Sequence, residues 1–121
     1  MKKIIWLSSY PKSGNTFLRT LISSYFFSND GTFKQELLKK ISEYPRDYFK
    51  FIPNNTLEKE MLNWEKVLLE INNSSNNFIF LKTHLANCEL NKKFRTISDK
   101  FSKCIIYIYR DPRNVLLSLK D

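Results

Sequence analysis

Three short apolar runs, Ile4 to Leu7, Phe78 to Leu81 and Cys104 to Tyr109, punctuate this chain, and between them apolar residues recur at helical spacing. Runs of that length suit strands buried on both faces, the condition of a parallel sheet. Leu18, Leu21, Ile22 and Tyr25 make one helix face through about Phe27, and Asn29-Asp30-Gly31 ends it. Phe33, Leu37 and Ile41 predict a second, short helix that carries Lys34, Lys39 and Lys40 outward, and Pro45 and Pro53 bracket an irregular aromatic stretch. Asn55, with Glu58 three residues on, predicts the cap of a helix whose face is Met61, Trp64, Leu68 and Ile71. Asn72 to Asn77 reads as a polar loop without a packing role. Leu90, Phe94, Ile97 and Phe101 predict a further helix, and Pro112 suits a first helical position with Val115, Leu116 and Leu119 beyond it. Strand and helix alternate throughout, so the reading is a βαβ series with a parallel sheet and right-handed crossovers.

Ligands of such sheets sit at the carboxyl ends of the strands. Each apolar run is followed there by a polar cluster: Lys12 to Thr16, then Lys82-Thr83-His84, then Arg110. The first cluster, within Tyr10 to Arg19, places a lysine, a glycine and small polar residues between a strand and a helix. Unpaired N–H groups and the helix dipole at such a turn hold a phosphate or sulfate without elaborate side chains. Lys12 precedes Gly14, whereas a Walker loop sets its lysine after the second glycine, so an ordinary NTPase or kinase is disfavoured. Taken alone, the loop also reads as a strand-to-helix turn with an exposed lysine.

The chain has 121 residues and a net charge of +8, with ten Phe and six Tyr, which describes a packed domain drawn to anions. Its basic residues are spread out rather than blocked, so solvated helix faces explain much of the charge. Cys88 and Cys104 lack metal-ligand spacing and have only one histidine to join them, which argues against a metal site, and Cys104 reads as a buried thiol. Met1-Lys2-Lys3 and the run after it are too short for a secretory signal. The expectation is a cytoplasmic protein without a membrane span.

The stretch Tyr10-Pro11-Lys12-Ser13-Gly14-Asn15-Thr16-Phe17-Leu18 resembles the 5′-phosphosulfate loop of the cytosolic-type sulfotransferases. Tyr107 to Ser118, read YIYRDPRNVLLS, is similar to that family's 3′-phosphate segment, and Lys82-Thr83-His84-Leu85 resembles the segment bearing its catalytic histidine. The three stand in the family's order and cover roughly a quarter of the chain. The resemblance implies that the sulfuryl donor is 3′-phosphoadenosine 5′-phosphosulfate, used without a metal. It implies that Lys12, Thr16 and the backbone of Ser13, Gly14, Asn15 and Thr16 hold the 5′-phosphosulfate, that Phe17 stacks on adenine, and that Arg110 and Ser118 bind the 3′-phosphate. His84 is the implied general base toward a hydroxyl or amine of a small-molecule or glycan acceptor, with Lys12 and Lys82 as catalytic cations. In-line displacement at sulfur asks for the same residue types, because charge builds on the leaving oxygen while the acceptor sheds a proton.

Asn15, Phe17 and Asn114 depart from the family's usual Thr, Trp and carboxylate. Family members also continue for roughly another half-domain beyond the 3′-phosphate segment. The fold expected is therefore α/β, a three-layer P-loop-like fold with a parallel sheet and flanking helices, truncated, with residues 1–121 forming a single incomplete nucleotide-binding domain. Two alternatives stand beside the transferase: a catalytically inactive fragment that binds 3′,5′-bisphosphoadenosine or pairs with a partner chain or a second copy, and a basic nucleic-acid-binding domain. No recognition motif accompanies the charge, which disfavours nucleic acid as a partner.

Overall fold

The computed structural model describes residues 1–50, 53, 54, 56–90, 92 and 94–120, with only the backbone at Leu90 and Phe94. Strand β1 (Ile4–Ser9) leads through the polar loop into helix α1 (Asn15–Phe27). A 3₁₀ turn (Gln35–Lys40), a two-residue strand β2 (Ser42–Glu43) and a single helical turn α2 (Arg46–Phe49) precede the long helix α3 (Leu57–Asn73). Strand β3 (Ile79–Thr83), a small hairpin of β4 (Glu89–Leu90) and β5 (Phe94–Arg95), strand β6 (Ser102–Ile108) and helix α4 (Pro112–Lys120) complete the order. No helix among the described residues is long and apolar enough to cross a membrane.

The main sheet runs β2-β3-β1-β6 and is parallel throughout. Strand β1 is central because both faces of its apolar run are covered. Ile4 and Trp6 point to one face and, with Leu81, meet Trp64, Leu68 and Ile71 of α3. Leu7 and Phe80 point to the other, where Leu18 and Ile22 of α1 and Ile41 pack on them. Two helices on opposite faces make the fold an α/β sandwich of three layers, as the alternation of periods predicts. The buried aromatic rings also satisfy their polar atoms. Tyr44 donates to the carbonyl of Trp64 at 3.1 Å, Trp64 Nε1 to that of Thr96 at 3.0 Å, and Trp6 Nε1 to Ser102 Oγ at 2.7 Å.

Several expectations change. The helix predicted through Leu90 and Phe94 is a hairpin, because Thr96 ties the chain to itself: its N–H and hydroxyl bond the backbone of Ala86 and Cys88. Phe33, Leu37 and Ile41 do not share an α-helix, since the segment is a short 3₁₀ turn that buries only Ile41. Asn72 belongs to α3 and is buried, accepting from Lys3 N–H and donating to the Met1 carbonyl, so it packs where a loop residue was expected. The cap expected at Asn55 lies outside the described residues; Thr56 occupies the N-cap and accepts from Lys59 N–H. Cys104 is exposed rather than buried, because β6 forms an edge of the sheet. Leu21 and Tyr25 are exposed as well, since α1 rests on the sheet through Leu18 and Ile22. A fourth strand, β2, was not legible in its two residues.

Candidate functional site

At the carboxyl end of β1 the chain turns through Tyr10 to Gly14, with Lys12 at φ 64° and Gly14 at φ 99°. Positive φ costs a lysine steric strain and costs glycine little, which explains the loop's one glycine. Helix α1 then begins without a side-chain cap. Its first bond runs from Leu18 N–H to the Gly14 carbonyl, so the N–H groups of Asn15, Thr16 and Phe17 precede the helical ladder and face a ligand or water. These donors and the dipole of a 13-residue helix form an anion seat.

A cleft of about 350 Å³ lies over this seat, lined by Pro11, Lys12, Gly14, Asn15, Thr16, Lys82 and His84. The parallel register of Ser8 with Thr83 brings the β3 end beside the β1 end, so His84 falls against Ser9. His84 Nδ1 lies 2.7 Å from the Ser9 carbonyl. Lys82 reaches Glu43 Oε2 at 3.2 Å, an ion pair in which both side chains are largely buried, and Arg46 stands 3.9 Å from the same oxygen. Asn15 turns its amide inward, to the Leu7 carbonyl at 3.1 Å and Ser9 Oγ at 3.0 Å, so its backbone N–H is what it offers a ligand. Phe17 is 69% exposed, with its ring open to a stacking partner.

Arg110 and Ser118 come together as their spacing requires. Arg110 Nη1 donates to Ser118 Oγ at 3.0 Å and to the Lys12 carbonyl at 3.1 Å, linking the end of β6 to the anion loop. The planar guanidinium keeps further donors for an oxyanion. Arg113 is held by Asp111 instead, Nη2 to Oδ2 at 2.7 Å, and this pairing keeps the Asp111 carboxyl below its ordinary range. A second cavity of about 500 Å³, lined by Tyr10, Ser13, Tyr107, Tyr109 and Arg110 among others, opens on this side of the loop. Sequence reasoning missed two residues, Ser9 and Glu43, which act by contact across 75 and 39 positions of chain. The polar end of an otherwise apolar β1 was the one available signal for Ser9.

The parallel sheet thus sets the lysine-before-glycine loop, Arg110 and His84 at the ends of three neighbouring strands. A family model described as a sulfotransferase domain matches residues 2–120, and the chain belongs to that family. Comparison with curated proteins gives no match.

Proposed function

We propose that this chain is a nucleotide-binding domain that transfers a sulfuryl group from 3′-phosphoadenosine 5′-phosphosulfate to a hydroxyl or amine of a small-molecule or glycan acceptor. The observation that carries this reading is the joining of two anion-binding groups at one loop: the α1 N-terminus with Lys12, and Arg110 with Ser118, bridged by the bond from Arg110 to the Lys12 carbonyl. A nucleotide with phosphates at both 3′ and 5′ positions fits such a pair. Among the described residues nothing packs against the open side of Gly14, which leaves the loop uncovered there.

When bound, the donor supplies the sulfuryl group and a phosphate leaving group. Lys12, Thr16 and the first N–H groups of α1 hold the 5′ side and neutralise charge that grows on the leaving oxygen. Arg110 and Ser118 hold the 3′ side, and Phe17 offers a face to adenine. His84 takes the acceptor's proton as general base, a contribution of roughly 10²- to 10⁴-fold. Lys82 pairs with Glu43, and its catalytic part is to meet the transferring group from the same cleft. A cytoplasmic setting belongs to this proposal.

The test is transfer of labelled sulfate to a panel of phenols, alcohols and amines, with His84→Ala as the loss-of-base control. Folded protein that transfers to none of them sinks the catalytic claim. One observation favours the second reading, a catalytically inactive fragment that holds 3′,5′-bisphosphoadenosine or pairs with another chain: the side chains of Ile105, Tyr107 and Leu116 lie exposed on β6 and α4. Thermal stabilisation by 3′,5′-bisphosphoadenosine with no transfer would select it.

A further inference from the structure

The chain has a single histidine, and its ring is held by Ser9, which is itself held by the side chain of Asn15 from the anion loop. His84 Nδ1 stands 2.7 Å from the Ser9 carbonyl and 3.4 Å from Ser9 Oγ. A carbonyl oxygen can only accept, so Nδ1 carries the proton and the lone pair of the neutral ring sits on Nε2. Ser9 is fixed in turn by Asn15, whose Nδ2 donates to Ser9 Oγ at 3.0 Å and to the Leu7 carbonyl at 3.1 Å. Chemistry settles the amide's orientation, because turning it over would set Oδ1 against the Leu7 carbonyl, acceptor to acceptor.

Both supporting residues are deeply buried, Ser9 at 3% and Asn15 at 5% exposure, so water does not compete for these bonds. Asn15 Oδ1 has no hydrogen-bond partner among the described residues. An unpaired buried acceptor is costly, and an apolar side chain of similar volume would fill the space without it. The position is thus explained by its two inward donors rather than by packing. Those donors tie the first residue of α1 to the last residues of strand β1, so the turn that would present N–H groups to an anion also fixes the histidine's neighbour.

We propose that Asn15 and Ser9 are positioning residues that hold His84 as its Nδ1–H tautomer and leave Nε2 as the proton acceptor in the cleft. Why Nε2 matters rests on the transferase reading; the tautomer itself does not. During transfer the acceptor's O–H or N–H proton would pass to Nε2, while the heteroatom's electron pair forms the new bond to sulfur and the donor's S–O bond breaks toward phosphate.

The lone histidine makes the experiment direct. Protein labelled with ¹⁵N-histidine is examined by long-range ¹⁵N–¹H correlation without nucleotide, at a pH where the ring is neutral. The expected result is one form, protonated at Nδ1 and bare at Nε2. Asn15→Ala should lose that single form to a mixture, and Ser9→Ala, which keeps the carbonyl but removes the acceptor of Asn15, should shift in the same direction. A dominant Nε2–H ring in the unaltered protein overturns the proposal, as does an unchanged tautomer ratio in the folded variants. Should Asn15→Ala fail to fold, Ser9→Ala decides. None of these readouts needs turnover, so an inactive protein with the Nδ1–H ring would count against the transferase reading alone, and an active one with the Nε2–H ring against this proposal alone.

Discussion

On the proposed reading Lys12 and Arg110 hold opposite ends of one nucleotide, and their replacements should differ in kind. Lys12→Ala removes a charge and leaves the loop tied, whereas Arg110→Ala also severs its bonds to the Lys12 carbonyl and Ser118. A hydrogen bond to a charged group contributes about 1.5–3 kcal/mol, so each change should weaken 3′,5′-bisphosphoadenosine binding by roughly 10- to 150-fold in calorimetry. Unchanged affinity in both would remove the assignment. The place of both residues at strand ends was legible, because each follows an apolar run. Ser9 and Glu43 were not, because each acts through a partner that only the parallel register brings near. A different residue governs alkaline stability. Burial raises the Tyr44 hydroxyl far above a tyrosine's ordinary value, and Tyr48 moves the same way for the same reason. Above about pH 10 the unfolded phenol releases its proton while the folded one keeps it. The unfolded state then binds fewer protons, so stability is complete below that pH and falls as pH rises. Melting temperature should decline above about pH 10, and Tyr44→Phe should flatten the decline while losing the bond to the Trp64 carbonyl.

Helix α3 shows what an element's pattern reveals and what it hides. Its face of Trp64, Leu68 and Ile71 is buried as the spacing predicts, because a 17-residue helix repeats the signal often enough to fix its phase. The hairpin of β4 and β5 carried the opposite lesson. Four apolar residues at helical spacing are too few to outweigh the bonds of Thr96, which hold the backbone extended. At the C-terminal end of α3 the sequence gives no hint that Asn72 docks the helix on the chain's first residues, since a run of asparagines and serines looks uniformly like loop. Asn72→Ala should therefore destabilise by about 1–3 kcal/mol, the loss of bonds to Lys3 and Met1, in urea unfolding. Its exposed neighbour makes the control: Asn73→Ala should stay within about 0.5 kcal/mol. Equal effects at the two positions would mean that helix propensity, not docking, is being measured.

Across the molecule the sheet is covered unevenly. Strands β1 and β3 are enclosed between α1 and α3, while β6 pairs on one side with β1 and, among the described residues, on the other with nothing. Ile105 at 42%, Tyr107 at 59% and Leu116 at 67% exposure lie on or beside that strand. An uncovered strand edge flanked by apolar side chains is a template for pairing with another chain. Only the strand order could say that β2 closes one side in part and that, among the described residues, β6 is the open one. Opposing association is the net charge of +8, which repels like molecules. That repulsion reaches about 30 Å at 0.01 M salt and about 8 Å at 0.15 M, whereas apolar contact and strand pairing are not screened. Self-association should consequently rise with salt: monomer at low ionic strength, concentration-dependent larger species near 0.15 M, followed by sedimentation velocity. Tyr107→Lys should suppress the larger species by placing a charge beside the edge without touching either core face. Association that weakens with added salt would instead identify an ionic interface, and the open edge of β6 would then play no part in it.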